Sequence, residues 1–455
     1  MTADDRSDEF ADFAAMLERG AAERDGNVVR AVDPAAIALR RRRRKRRGII
    51  AAIVVLVVLA AIGTYIPLTL SAPAASATVH ANPVNVTPSG AVTLSLPQVG
   101  ESAVSVTGAD DFEGTGGTNG ILASSGGTGP MPIASISKLI TALVILEAKP
   151  LGLTEPGPNI TFSKADHALY DKYYVMLASI EPMSTGSVMS ERDALTTILV
   201  ASACNYAEAV STWAFGTQAS FLTAVRKWLT SHGLTSTKLV EPTGMNPRNV
   251  STPADLLVIG KLAMANPLVA SIVGSVNPVV ANIGSIANTN DLLGVDGING
   301  IKTGTLESSA LLFSAIVDVG TPSPITVVGV VLGGESRESV DAAARSLIAS
   351  IKSGFHQVPL VARGDVLGSY TTPWKDDATI VAGADASVLT WSNAPVTSSM
   401  KTSTVTTAKN GSKVGSVTFV AGKATVTVPL VLKGGIKGPD AWWRLTHPSV
   451  LLGGH

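Results

Sequence analysis

Apolar positions follow two patterns along this chain of 455 residues, and the first is an uninterrupted run. Gly48 to Leu70 carries no charge and is long enough to cross a hydrocarbon core of about 30 Å as a helix. Eight consecutive cations, RRRRRKRR at 40–47, stand directly before it. Because Lys and Arg beside a span stay in the cytoplasm, this order predicts a single-pass cell-membrane anchor with an inner tail and an outer C-terminal part. A signal peptide cleaved near SAPAASA (71–77) and a nucleic-acid patch are the alternatives.

The second pattern is periodic and predicts folded structure beyond the span. Ile136 to Glu147 is almost wholly apolar but too short to cross a membrane, which predicts a buried core helix. Further helices are predicted around 190–216, 219–232, 252–265 and 336–352, and strands near 310–319 and 325–332.

The C-terminal segment has a different texture. From about Val358 it is rich in Val and Thr, and 416–432 alternates as a strand does, which predicts a small all-β domain. The predicted organisation is a cytoplasmic tail with its basic cluster (1–47), a transmembrane helix (48–70), an extended spacer (71–96), an α/β domain (97–355) and the all-β domain (356–455).

Composition and charge restrict the chemistry. With 45% hydrophobic and 15% charged residues, the composition is that of a folded protein. The net charge is zero, but residues 1–39 carry nine acidic and four basic side chains, so charge is unevenly distributed along the chain. A single cysteine, Cys204, excludes an intramolecular disulfide. The six histidines are scattered without metal-ligand spacing, so we expect no metal site, and we expect no other cofactor. Because the basic run stands beside an apolar span, we also expect no nucleic-acid partner.

A candidate nucleophile stands at the head of the apolar helix. In Ser135-Ile136-Ser137-Lys138, residues i and i+3 share one helix face, so the hydroxyl and the amine can meet. A serine needs an adjacent base, and a lysine serves only when neutral, a state that burial and a second cation favour. The same spacing recurs at Ser398 and Lys401 without an apolar helix behind it, so the pair alone is weak evidence.

Two further motifs follow in order. Ser202-Ala203-Cys204, in ILVASACNYAEAV, combines an apolar run with small polar residues, which is typical of a loop that presents side chains to a cleft. Lys302-Thr303-Gly304, in GINGIKTGTL, places a cation and hydroxyls on a glycine-flanked strand suited to a peptide carboxylate.

Together these motifs resemble the signature of serine penicillin-recognising enzymes, and in particular the low-molecular-weight D-alanyl-D-alanine carboxypeptidases. The resemblance covers roughly Val99 to Gly354, and more weakly the C-terminal β domain. It is carried by PIASISKLITALV, VASACNYAEAV, GLTSTKLVEPTGMNPRNVSTPADL and NTNDLLGVDGINGIKTGT. It implies an α/β fold, a five-stranded antiparallel sheet with flanking helices plus an all-α region, with the active site between them.

The resemblance also implies roles and partners. Ser135 attacks a stem peptide ending in D-Ala-D-Ala, Lys138 takes its proton, and Ser202 relays a proton to the leaving amine. Lys302 favours the neutral form of Lys138. The substrate side of the site is formed by Cys204, Asn205, Lys302, Thr303, Gly304 and Thr305, with the oxyanion between the backbone N–H groups of Ser135 and Thr305. β-Lactams are the implied inhibitors.

The chain departs from the family pattern in two places. The second motif usually ends in Asn, where this chain has Cys204, and Asn205 follows with a shift of one residue. This keeps a DD-transpeptidase and a non-catalytic cell-wall scaffold open as alternatives. The second departure is the terminal HPSVLLGGH, where we expect no amphipathic helix of the kind that many relatives have. A β-lactamase is a further alternative, but the segment from Glu241 to Asn246 is one residue too long for the pattern of that class.

Overall fold

The computed structural model describes residues 34–453. The helices are α1 (Pro34–Ser71), α2 (Ser137–Ala148), α3 (Lys164–Tyr174), α4 (Glu191–Leu199), α5 (Cys204–Phe215), α6 (Gln218–Ser231), α7 (Pro253–Ala265), α8 (Pro267–Val273), α9 (Arg337–Ser353), α10 (Ala441–Thr446) and α11 (Pro448–Leu452). The strands are β1 (Thr78–Ala81), β2 (Glu101–Thr107), β3 (Ala123–Ser125), β4 (Met131–Pro132), β5 (Asn159–Thr161), β6 (Val188–Ser190), β7 (Val250–Ser251), β8 (Val279–Val280), β9 (Gly284–Ser285), β10 (Ile298–Thr305), β11 (Ser309–Val317), β12 (Ile325–Gly334), β13 (Phe355–Val361), β14 (Val366–Thr371), β15 (Ala378–Ala382), β16 (Ala386–Trp391), β17 (Thr397–Thr402), β18 (Lys413–Ala421) and β19 (Ala424–Lys433).

The described residues form two compact units, and the first comprises 34–76 together with 438–453. Within the described residues, α1 alone has a stretch, Ala38–Ser71, long and apolar enough to cross a membrane, whereas α7 and α8 pass that test only together and are bent by 100°. This fits a single-pass anchor. The part of the predicted tail before residue 34 lies outside the described residues.

The end of this unit corrects the prediction of an all-β domain to residue 455, because α10 and α11 occupy 441–452. The Asp440 carboxylate caps α10 by accepting from the Trp443 N–H at 2.7 Å. Arg444 donates to the Leu70 and Ala72 carbonyls at the end of α1, at 3.3 and 2.6 Å. Helix ends leave carbonyls without intrahelical partners, and a cation there is favourable. The two helices are too short for sequence periodicity to reveal.

The second unit, Ala77–Lys437, contains the predicted antiparallel five-stranded sheet, in the order β10-β11-β12-β2-β3. Side chains alternate across a strand, so Leu311 and Phe313 enter one core while Ala310 and Leu312 enter the other. Helix α9 packs on β11 and β12 on the first face, and α7 on the second. Burial on both faces explains the nearly continuous apolar runs in these strands, and the predicted α/β fold is confirmed.

The all-α region surrounds α2, which is buried along most of its length as predicted. The predicted helix over 190–216 is wrong in one respect, because α4 ends at Leu199 and α5 begins at Cys204. Between them Ser202 has a φ of +60°, which breaks the helical path. The second motif lies at this interruption, which directs the Ser202 side chain towards the cleft.

The remainder of this unit is β-rich, with a six-stranded sheet in the order β1-β14-β15-β19-β18-β17 and a separate β13–β16 pair. The segment predicted as an extended spacer packs against this sheet over its later part. β1 pairs with β14, and beyond it Val84 and Val86 pack against the core of the six-stranded sheet. Burial of alternating apolar side chains stabilises this extended segment on the sheet. The Pro- and Ser-rich composition of the segment gave no sign of this packing.

Glu191, at the first position of α4, is a buried acid whose titration affects stability. It is 1% exposed, and neither carboxylate oxygen has a hydrogen-bond partner in the described part of the chain. Burial raises its pKa to about 7, against a smaller opposing effect of the Lys149 ammonium. The folded state therefore loses stability as pH rises from the ordinary carboxyl value of about 4.5 through 7, and the loss is complete above 7.

We expect Glu191→Gln to be more stable than the parent at pH 8, by up to about 3 kcal/mol, with this gain vanishing near pH 4.5. The amide keeps the shape of the side chain and removes the charge that burial penalises. Thermal unfolding across pH 4.5–8 measures the difference, with the exposed Glu147→Gln as the control. A gain that is the same at every pH would contradict the assignment.

Candidate active site

The predicted nucleophile and base meet. Ser135 lies in a 3-10 turn, Ala134–Ile136, that leads directly into α2, and Lys138 is in the first turn of that helix. Lys138 Nζ is 2.8 Å from Ser135 Oγ and 2.7 Å from the Thr243 carbonyl oxygen. The lysine is fully buried, whereas the serine is half-exposed. The hydroxyl is therefore accessible to a substrate while its base is protected from water.

The loop that supplies the Thr243 carbonyl was missed by the sequence analysis. The Glu241 carboxylate accepts from the N–H groups of Thr243 and Gly244, each at 2.7 Å, and from Asn249 Nδ2 at 2.9 Å. The acid thus braces the loop behind the base, which leaves little support for a β-lactamase-type water activator at Glu241. Only the Glu-Pro-Thr-Gly run hinted at this turn.

Gly244 lets this loop approach the nucleophile closely. Its φ is +87°, and a Cβ there would lie 1.9 Å from the Ala134 carbonyl oxygen, next to Ser135. Glycine is the residue that accepts both conditions without strain. Ala134 itself has a φ of +45°, so the turn that presents the nucleophile is held in a sparsely populated conformation.

The second motif contributes the Ser202 side chain to the cleft, whereas Cys204 and the following Asn205 are buried. Ser202 Oγ lies 3.0 Å from Lys302 Nζ. Cys204, 1% exposed, begins α5, and its N–H donates to the Ser179 carbonyl at 2.8 Å. Asn205 is fully buried and binds the Glu181 backbone with both ends of its amide, at 3.2 and 2.7 Å. The structure therefore places Asn205 behind the cleft, away from the predicted substrate contact.

The third motif lies on β10, where Lys302 is 1% exposed. Burial, and after it the charge of Lys138, holds the pKa of Lys302 well below its ordinary value. The influence of the Lys138 charge on Lys302 shows that the first and third motifs share one electrostatic environment. The neutral form is therefore favoured at Lys302.

Thr289 is a further residue that the sequence analysis missed. Its hydroxyl lies 2.7 Å from Thr303 Oγ1 and 3.4 Å from Lys302 Nζ, and its N–H donates to the Val200 carbonyl at 3.1 Å. Arg337 donates to the Thr289 carbonyl and, at 3.0 Å, to a carboxylate oxygen of Asp291. Thr289 therefore links the segment before the second motif to the third motif.

Gly304 allows β10 to run against the nucleophile. A Cβ at this position would lie 3.0 Å from the Ile133 carbonyl oxygen and 3.4 Å from the Ser135 nitrogen. Close approach by the nucleophile turn is the geometric reason for a glycine at this position. Thr305 follows and is exposed at the edge of the cleft.

The second Ser-x-x-Lys sequence is not a catalytic pair. Ser398 and Lys401 lie on β17, the edge strand of the six-stranded sheet. Residues i and i+3 of a strand point to opposite faces, so the two side chains do not meet. Ser398 Oγ instead donates to the Val84 carbonyl at 2.8 Å.

The sequence comparisons match this chain to D-alanyl-D-alanine peptidases. The D-alanyl-D-alanine carboxypeptidase family model matches residues 115–336. A D-alanyl-D-alanine endopeptidase from Pseudomonas aeruginosa is 35% identical over 126 residues, 28% of this chain and 37% of the relative. A D-alanyl-D-alanine endopeptidase from Escherichia coli is 28% identical over 183 residues, 40% of this chain and 53% of the relative.

Among solved structures, penicillin binding protein 5 from Haemophilus influenzae is similar with a TM-score of 0.50 and 18% identity. The match covers 75% of this chain and 99% of that one. At this identity the likeness concerns the fold alone. The chain spans between about a third and about half of the length of the curated relatives it matches.

Proposed function

We propose that this chain is a serine-type D-Ala-D-Ala carboxypeptidase, because the D-alanyl-D-alanine carboxypeptidase family model matches its residues 115–336. Its substrate would be a peptidoglycan stem peptide, and a β-lactam would acylate the same serine. The observation that carries this proposal is the 2.8 Å contact between Lys138 Nζ and Ser135 Oγ at the open side of a buried lysine. A non-catalytic scaffold would not require this pair to be preserved.

In the acylation step the Lys138 amine takes the Ser135 hydroxyl proton as Oγ bonds to the penultimate D-Ala carbonyl carbon. The backbone N–H groups of Ser135 and Thr305 would stabilise the oxyanion, by about 3 kcal/mol for each donor. The carbon–nitrogen bond then breaks, and the terminal D-Ala leaves with a proton relayed from Lys138 through the Ser202 hydroxyl. The approach of Gly304 to Ser135 supports this placement of the two N–H donors.

In the second step water attacks the ester carbonyl and Lys138 accepts its proton. The bond between the acyl carbon and Oγ then breaks, and Lys138 returns the proton to the Ser135 oxygen. Carboxypeptidase action requires recognition of a free terminal carboxylate, and the hydroxyls of Thr303 and Thr305 beside Lys302 are suitable donors. Transpeptidation is a second candidate, because Cys204 replaces the amide that usually ends the second motif. A thiol offers weaker hydrogen bonds than an amide to the peptide of the acyl-enzyme.

The orientation of the anchor follows from the cations at 40–47, which precede the span within α1. We infer that this end is cytoplasmic and that the unit carrying Ser135 is extracytoplasmic, where peptidoglycan is found. The stem peptide and the membrane are then the partners of the chain.

A fluorescent penicillin tests the proposal on the purified full chain. We expect a covalent adduct that survives denaturation, that is lost in Ser135→Ala, and that persists in the matched Ser398→Ala. Release of D-Ala from a pentapeptide then measures hydrolysis. An adduct that persists in Ser135→Ala would overturn the assignment of the nucleophile.

A further inference from the structure

Charge is unevenly distributed over the β-rich part of the second unit. The stretch 386–439, which contains β16 to β19 and ends just before α10, has six lysines and no Asp or Glu. All six side chains are exposed, and the mechanism above uses none of them. They are Lys401, Lys409, Lys413, Lys423, Lys433 and Lys437.

Five of these lysines lie at one end of the six-stranded sheet. β17 ends where β18 begins and β19 ends, because Thr402 pairs with Gly415 and Lys413 pairs with Val431. These strand ends and the segments that follow them form what we name the lysine end, with Lys401, Lys409, Lys413, Lys433 and Lys437.

Three of the five share one face of the sheet. Lys413 pairs with Val431, which stands two residues before Lys433, and residues two apart on a strand point to the same face. The β18 partner of Lys401 pairs in turn with Pro429, again two residues before Val431. Three neighbouring strands therefore present one ammonium group each to a common surface.

The positive charge of the lysine end is not neutralised by the protein. In the described part of the chain none of its five lysines forms an ion pair, whereas Lys423, at the opposite end, pairs with Asp111 at 3.6 Å. The turn between β14 and β15 reaches the lysine end, because β15 pairs with β19 there, and it adds Asp376, Asp377 and Lys375. Six lysines against two carboxylates leave an excess of four positive charges.

Both chain connections to the unit that contains α1 leave from the lysine end. β1 begins there at Thr78, opposite the last residue of β14, and 72–77 alone separate it from α1. An extended residue spans at most about 3.6 Å, so Thr78 is within about 25 Å of Ser71. On the other side 438–440 lead to α10, which Arg444 bonds to the same end of α1.

The end of α1 marks a membrane surface. With the cations at 40–47 on one side, the apolar run that follows reaches Leu70 after crossing about 30 Å of hydrocarbon. The two connections therefore keep the lysine end within reach of lipid headgroups. Trp374, a residue type enriched at membrane–water interfaces, lies in the same β14–β15 turn and donates to the Lys437 carbonyl at 2.8 Å.

We propose that the lysine end binds the anionic headgroups of the membrane that α1 crosses. The ammonium groups of Lys401, Lys413 and Lys433 pair with lipid phosphates, and the second unit is held to the bilayer by charge as well as by its two connections. Each lysine near an anionic surface strengthens such binding by about fivefold, and salt weakens it. This interaction is independent of catalysis at Ser135.

The full chain in nanodiscs tests the inference. Because Cys204 is 1% exposed, a fluorophore can be placed selectively at Thr404→Cys, an exposed position in the loop between β17 and β18. Energy transfer to labelled lipid measures how near the lysine end lies to the bilayer. We expect the transfer to increase when anionic phosphatidylglycerol replaces part of the neutral phosphatidylcholine, and to decrease again at high salt.

Charge variants identify the residues responsible. Combining Lys401→Gln, Lys413→Gln and Lys433→Gln should lower the ratio of bound to free lysine ends by about 100-fold in the anionic discs. Lys423→Gln is the matched control, because it removes one lysine of the same sheet from the opposite end, and it should respond as the parent does. Thermal unfolding verifies that the triple variant is folded.

Equal transfer in the two lipids, or an increase that the triple variant retains, overturns the inference. Polyphosphate added to discs of phosphatidylcholine is the third arm. Binding of polyphosphate through these lysines, without any response to phosphatidylglycerol, also overturns it and assigns the surface to a soluble anionic polymer. Failure of penicillin to label Ser135 is a separate outcome that concerns the proposed function alone.

Discussion

Replacing Lys138 by Ala is expected to slow acylation of Ser135 by a β-lactam by about 10²- to 10⁴-fold, the range of a positioned general base. We expect this slower acylation because Lys138 Nζ lies 2.8 Å from the nucleophilic Ser135 oxygen and is placed to take its proton. The substitution also leaves the Thr243 carbonyl without its partner, at a cost of about 1–3 kcal/mol for a buried acceptor. Stopped-flow acylation and thermal unfolding measure the two effects separately.

Lys401→Ala is the matched control for this variant, since Lys401 stands in the second Ser-x-x-Lys sequence. We expect its acylation rate to equal that of the parent, because β17 places Ser398 and Lys401 on opposite faces. An acylation rate in Lys138→Ala within about tenfold of the parent would mean that another group takes the proton. Lys302, near enough to be influenced by Lys138, would then be the next candidate.

The sequence predicted the parts of this site that depend on local spacing. Ser135 and Lys138 meet because a helix brings residues i and i+3 together, and an apolar helix of this length has to be buried. The family resemblance implied that Ser202 and Lys302 belong to one site, and their side chains are 3.0 Å apart. The apolar runs near 310–319 and 325–332 predicted two strands of the central sheet, and the family resemblance implied its five-stranded arrangement.

Contacts distant along the chain were beyond such reasoning. The Thr243 carbonyl that holds Lys138 is 105 residues away and is a backbone atom, so no side-chain pattern marks it. Thr289 is an ordinary residue until β10 places Thr303 beside it. The sequence offered Asn205 as an alternative amide for the cleft. The helical path is interrupted at Ser202, and Asn205 binds the Glu181 backbone instead.

Gly244→Ala is expected to have the second large effect, on both stability and acylation. The new methyl group would lie 1.9 Å from the Ala134 carbonyl oxygen, so the loop or the nucleophile turn has to move. We expect a loss of about 3 kcal/mol or more in the free energy of unfolding, from strain at a positive φ together with the clash. Displacement of Ser135 by about 1 Å would slow acylation by about 100-fold.

Gly233→Ala separates the two causes. Gly233 also has a positive φ, +69°, but a Cβ there would meet nothing within 4 Å. Its loss of stability should therefore be only the conformational part, about 1–2 kcal/mol, with acylation unchanged. Equal losses in the two variants would show that the close approach to Ala134 contributes nothing. A larger loss in Gly244→Ala, accompanied by slow acylation, means that the loop holding Lys138 also fixes the position of Ser135.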